Sequence, residues 1–234
     1  MTKKMIKVSK GLERFQEENP FAMSIGDLMA ALLLIFVLLL SSTLLRIQEE
    51  AEKGRDIQKA LYRDLVEKFS DKQKDWNMVI DTTLTISFKE PDVLFKLGRA
   101  DLQPRFMKIL NEFFPQYIEV LRRVQHVENI DEIRIEGHTS SDWTFGNVDP
   151  ATAFIMNMEL SQGRTRAVLT FSLSTLHQTE GIEKKWVRSK LAAIGFSSSR
   201  LIAPNNIEDR VASRRVEFKV RTDSDKRIKE LIGR

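Results

Sequence analysis

The sequence predicts an α+β protein in three parts: one N-terminal transmembrane helix, a helical linker, and a β-α-β-α-β-β two-layer sandwich. Three observations predict it. Residues 21–45 form a stretch of 25 residues with one charge, Asp27, and about 20 apolar residues suffice to span a bilayer. Residues 46–76 are charge-rich, contain one Gly and no Pro, and place Ile57, Leu61, Leu65 and Phe69 at helical spacing. Beyond them, short runs of alternating apolar residues take turns with longer runs of helical period, the pattern of a sheet covered by helices.

Composition narrows the function classes. The chain has 234 residues, 30% of them charged, and a net charge of +4 spread along its length. That distribution is no concentrated phosphate-binding footprint, so direct nucleic-acid binding is excluded. The absence of cysteine removes disulfides and thiolate metal sites without choosing a compartment.

Residues 1–20 form a polar tail. Asn19 can cap the following helix, and Pro20 suits its first turn. A cleaved signal peptide is the competing reading, since Leu28–Leu40 is unbroken apolar and Ser41, Ser42 and Thr43 follow. Asp27 beside that core, three glutamates in the tail and the helix-start signal favour a retained anchor over residues 21–45. Five Lys/Arg on each side, in 1–20 and 46–65, leave the positive-inside rule tied. A short tail before the helix and a whole domain after it put the N-terminus in the cytoplasm and the domain outside.

Asp27 lies six residues after Phe21, about 9 Å along a helix axis. A carboxylate at a membrane-helix centre costs on the order of 2.5–3.5 kcal/mol, and this side chain is too short to reach far toward water. Ser24 and Gly26 permit close approach of another helix. Asp27 must therefore face a partner helix or a second copy of this chain. It either orients the helix or binds and releases a cation, most simply a proton.

The linker, residues 46–79, continues as a helix whose narrow apolar stripe suits self-pairing or docking on the partner; lying on membrane lipid is the weaker option. The domain, residues 80–221, reads as a strand at 83–88, a helix at 102–124 with Pro115 as a kink or boundary, and a strand at 132–137. A helix at 157–176 and strands at 190–196 and 214–221 follow, then a polar tail at 222–234.

No catalytic constellation emerges, and the chain is read as a non-enzyme without cofactor or metal. Glu136 and His138 lack the H-E-x-x-H spacing and a third ligand nearby in sequence. Ser161 has no G-x-S-x-G elbow. Trp76, Trp143 and Trp186 are packing residues, with sugar stacking a second option for Trp143 in its long loop.

Four segments in order, "IRIEGHTSS" (133–141), "NMELSQGRTRAV" (157–168), "KLAAIGFSSSRLIAPN" (190–205) and "ASRRVEF" (212–218), resemble the OmpA-like peptidoglycan-binding family. With one Asp-bearing helix in front, the whole is similar to MotB-type stator subunits. The stretch "MSIGDLMAALLLIFVLLL" looks closest to the MotB-like subunits of Zorya anti-phage defence systems. The resemblance implies that Arg164 binds the diaminopimelate carboxylate of the wall peptide, with Asn157 and Leu160 on the same helical face and Arg214 and Arg215 on the final strand. It departs from the family at Ser140, where an Asp is usual and Asp142 can substitute, in a long 140–157 connection, and in serines at 197–199 where a glycine is usual. It further implies an inner-membrane protein with a periplasmic domain, two copies inside five MotA- or ZorA-like multi-span subunits, and proton flow past Asp27. A flagellar stator subunit, or a passive wall anchor without ion flux, are the alternatives.

Overall fold

The computed structural model describes residues 20–89, 94–123, 125–143, 146, 148–176, 182–224, 226–227 and 230. The expected tail, with its Asn19 cap, lies outside them. The chain divides into two compact units between Gln48 and Glu49.

Helix α1 spans Pro20–Phe69. In the first unit it is bare: apolar side chains from Ile25 to Leu45 are exposed, and its most apolar window has a mean hydropathy of 2.7 with nothing buried. A helix apolar all round and packed against nothing is one whose solvent is lipid or another protein. It is the single helix among the described residues that is long and apolar enough to cross a membrane.

In the second unit the rest of α1 behaves differently. Leu61, Leu65 and Phe69 are fully buried in the domain's own core, with the Phe69 ring 5.2 Å from Phe113 and 6.1 Å from Trp76. This corrects the reading of that stripe as a surface for self-pairing or partner docking. Only Ile57 stays half-buried. Polar contacts fasten the same stretch: Gln58 donates to the Thr82 carbonyl at 2.6 Å, and Asp64 meets Arg123 at 3.0 Å and His126 Nε2 at 2.8 Å. Residue 54 must be small, because a Cβ there would sit 2.6 Å from that of Ser224. The segment after residue 221, expected as a polar tail, therefore starts by packing on α1.

The helix stops at Phe69 rather than Trp76, and turns lead into β1 (Met78–Ile80), a strand too short to be seen in the sequence. β2 (Thr85–Phe88), α2 (Pro104–Leu121), β3 (Ile130–Gly137), α3 (Pro150–Thr175), α4 (Ile182–Lys190), β4 (Leu191–Gly195), α5 (Arg210–Ser213) and β5 (Val216–Thr222) follow. Pro115 lies inside α2 without ending it. α3 begins at Pro150 rather than Asn157, because Asp149 caps it by accepting from the Ala151 and Thr152 amides at 3.0 and 3.1 Å. α4 is an added element.

The sheet order is β1-β2-β5-β3-β4, antiparallel except for the β3–β4 pair. Val216, Phe218 and Val220 point into the core, and the alternate residues of β5 and β3 put Glu217, Arg134 and Glu136 on the opposite face. The core is aromatic: Phe113 lies 5.0 Å from Phe218 and 5.1 Å from both Phe88 and Tyr117.

Candidate functional site

Two glycines set where the site forms. Gly137 ends β3, Gly195 ends β4, and they are register partners. A Cβ on Gly137 would lie 2.7 Å from Thr165 Cγ2, and one on Gly195 would lie 2.5 Å from the Gln162 amide nitrogen. The backbone of α3 thus rests directly on the strand ends. Ser161, at that contact, accepts from the Ser197 amide at 3.0 Å. Ser197 holds a left-handed φ of +53°, the conformation glycine adopts most readily. Here the serine is kept there by hydrogen bonds through its amide, its carbonyl to Thr139 and its hydroxyl to Phe154.

On the seated helix, Asn157, Leu160 and Arg164 line one cleft together with Phe95, Ser140 and Arg214. Asn157 is 3% exposed, and its Nδ2 donates to the carbonyls of Ser140 and Asp142 at 3.3 and 2.9 Å. Its amide is spent on shaping the loop after β3. Arg164, 7% exposed, donates from Nε to the Arg99 carbonyl at 3.0 Å and lies 4.8 Å over the Phe95 ring. Burial and the nearby Arg214 push its pKa down to about 10, so it remains charged near neutrality. Among the described residues no carboxylate pairs with Arg164 or Arg214. The free room is about 20 Å³, enough for one small anionic group. Two unneutralised guanidiniums there favour a carboxylate.

The remaining expected residues fall differently. Arg215 turns away from Arg214, as neighbours in extended backbone do, and bonds Glu217 at 2.6 Å and the Arg200 carbonyl at 3.2 Å. Asp142 lines the cleft but its carboxylate meets Arg210 at 2.9 Å, while Ser140 is buried beside it. Asp27 belongs to the first unit, exposed on α1, with no partner among the described residues. A Cβ on Gly26 would meet nothing within 4 Å. Sequence reading missed the wall formed by Phe95, Leu97 and Gly98, which no periodic pattern marks.

Behind the cleft, Glu136, His138 and Glu217 have ligand atoms within 4.8 Å of one another. The third member comes from β5, correcting the expectation that Glu136 and His138 have no third ligand at hand. Arginines already hold both carboxylates: Arg200 meets Glu136 at 3.1 Å, and Arg215 meets Glu217 at 2.6 Å. Burial opposes ionisation of Glu217, yet hydrogen bonds from His138 and Arg215 hold its pKa at about 2. The cluster is a charge-balanced brace, and a divalent cation would have to displace the arginines.

No protein-family model matches the sequence. The chain is 40% identical to the Zorya protein ZorB of the Crooks strain of Escherichia coli, over 96% of this chain and 97% of that one. It is 23% identical to the Zorya protein ZorB of Escherichia coli O139:H28, over 88% and 81%. Among solved structures, a MotB-like protein from Desulfovibrio vulgaris shares the fold, with a TM-score of 0.52 and 24% identity over 73% of this chain and 98% of that one.

Proposed function

Since the chain belongs to the Zorya protein ZorB family, we propose that it is the stator-like, wall-anchoring subunit of a proton-driven motor in anti-phage defence. The observation that carries this reading is the pairing, in one chain, of a lone carboxylate on a bare apolar helix with a cationic cleft in a folded domain. A passive tether has no use for Asp27, whose place in a membrane would cost energy that only a role in binding or transport offsets.

In this reading α1 crosses the bacterial inner membrane once, with the N-terminus cytoplasmic and the domain periplasmic. Two copies sit inside a ring of five MotA- or ZorA-like multi-span subunits, and Asp27 of each takes up and releases a proton. The Arg164–Arg214 cleft grips a carboxylate of the peptidoglycan stem peptide, holding the domain still while the ring turns. Family membership favours the defence system over a flagellar motor.

Asp27→Asn tests the motor. The substitution keeps size and removes the titrating group, so membrane insertion and partner co-purification should persist while phage protection is lost in a plaque assay. Full protection by the variant would leave the passive wall anchor as the function.

A further inference from the structure

β4 closes one side of the sheet, and among the described residues only β3 pairs with it. The Phe196 amide donates to the Gly137 carbonyl at 2.8 Å, and backbone groups alternate sides along a strand. Those of Ala192 and Ile194 therefore also face β3, while those of Ala193 and Gly195 point outward. Sheet edges are ordinarily blunted by charge, proline, a bulge or sheer shortness. β1, at the opposite edge, is three residues long. β4 has none of these devices: residues 191–199 carry no charge and no proline, and the register with β3 runs unbroken from Leu191 to Gly195. Ala193 is exposed on it, and Ala192, Ile194 and Phe196 are half-buried. Such an edge is a template for another strand.

We propose that β4 pairs antiparallel with β4 of a second copy of this chain, about a two-fold axis at Ile194, joining two sheets edge to edge. The inference rests on the two-copy reading above and adds which surface holds the copies together. In this register Ala193 of each strand exchanges both its backbone hydrogen bonds with Gly195 of the other. Ile194 then faces Ile194, and Ala192 faces Phe196, as apolar cross-strand pairs on the side away from α3. The helix side matches as well. The α3 backbone at Gln162 lies against Gly195, and Glu159 and Arg166, about one turn to either side of Gln162, are both exposed. The same axis sets α3 antiparallel to its counterpart and brings Glu159 of each copy toward Arg166 of the other. A strand from an unrelated protein would take the outward hydrogen bonds but gains neither the Ile194 pair nor this match of charge, so the edge fits a second copy best.

The test is cross-linking of the full chain in membranes, where single cysteines report without background because the sequence has none. A close antiparallel pair sets its Cα atoms about 4.5 Å apart, within disulfide reach. Oxidation of Ile194→Cys should therefore give a band of doubled mass. Ala192→Cys should give none, since its two copies lie about 13 Å apart along the strands. Adding Ala193→Lys to Ile194→Cys should lose the band, because like charges then meet across the edge, while the melting temperature holds. Glu159→Arg should weaken the band, and Glu159→Arg with Arg166→Glu should restore it. Light scattering of the unaltered chain in detergent gives the copy number separately. Two copies without the Ile194→Cys band, or a band that survives Ala193→Lys, overturn the β4 seam and leave the two-copy reading standing. A single copy with no band overturns both. Cross-linking of Ile194→Cys to a different protein assigns the edge to a partner's strand and overturns the seam equally.

Discussion

Gly137 and Gly195 face each other across the ends of the parallel strands β3 and β4, and α3 occupies the space where a side chain on either would go. The obstacle at Gly195 is the Gln162 backbone nitrogen, 2.5 Å from the would-be Cβ, and backbone within a helix cannot rotate aside. Gly195→Ala should therefore lift α3 from the sheet and cost about 1–3 kcal/mol. Because Asn157 and Arg164 ride on that helix, peptidoglycan co-sedimentation should fall too, although residue 195 lines no part of the cleft. Thermal melts and sedimentation of the same variant check both halves; a melt unchanged from the unaltered chain would show that the strand ends are free to shift.

Truncation is the second prediction. A fragment beginning at residue 80 lacks the core side chains Leu61, Leu65, Phe69, Trp76 and Met78, and with Met78 and Val79 it loses two of the three residues of strand β1. Truncating one such buried leucine typically costs about 2–5 kcal/mol, against a total stability of about 5–15 kcal/mol. That fragment should be unfolded by circular dichroism, whereas one starting at Glu49 should melt cooperatively. A folded, protease-resistant 80–234 fragment would show that the α1 segment adds little to the core.

How far the fold was legible follows from the range of each signal. β5 announces itself because Val216, Phe218 and Val220 alternate with charges within one short run, and the helix bearing Asn157 and Arg164 because its spacing is local. The apolar stripe of Leu61, Leu65 and Phe69 is just as visible, but nothing local says which surface covers it; the domain's own Phe113 does. Glu217 stayed apart from Glu136 because only the β3–β5 register sets them side by side. Arg214 and Arg215 look equivalent as a pair, yet extended backbone sends one to the cleft and the other to Glu217. The three residues of β1 carry too little pattern to register at all.

Acid should expose the brace behind the cleft. The Glu217 carboxyl falls from its ordinary 4.5 to about 2 in the fold. A depressed folded pKa contributes stability that is present above the unfolded value and disappears as pH falls through the folded one. The domain should therefore lose stability between about pH 4.5 and pH 2. Glu217→Gln should be less stable at neutral pH, since the Arg215 guanidinium loses its counter-charge, and should show a flatter decline across that window. Denaturant midpoints at several pH values give the comparison; parallel curves for the two proteins would remove Glu217 as the source.

Charge alone should not suffice at Arg164. Its Nε is committed to the Arg99 carbonyl at 3.0 Å, which fixes the plane of the guanidinium and leaves the outer nitrogens to meet a carboxylate side by side. A lysine offers one ammonium that can serve either the carbonyl or the ligand, and it lacks the planar fork. Arg164→Ala removes a charge-assisted contact worth about 1.5–3 kcal/mol, or roughly ten- to a hundredfold in affinity. Arg164→Lys should recover little of that, even though the cleft keeps its net charge. It should also loosen the segment at Arg99 without unfolding the core, because Phe95 and Leu94 remain buried beneath it. Peptidoglycan co-sedimentation of both variants, beside their melting temperatures, separates the effects. Full binding by the lysine variant would mean that the cleft attracts its ligand by charge, with no part played by the shape of the guanidinium.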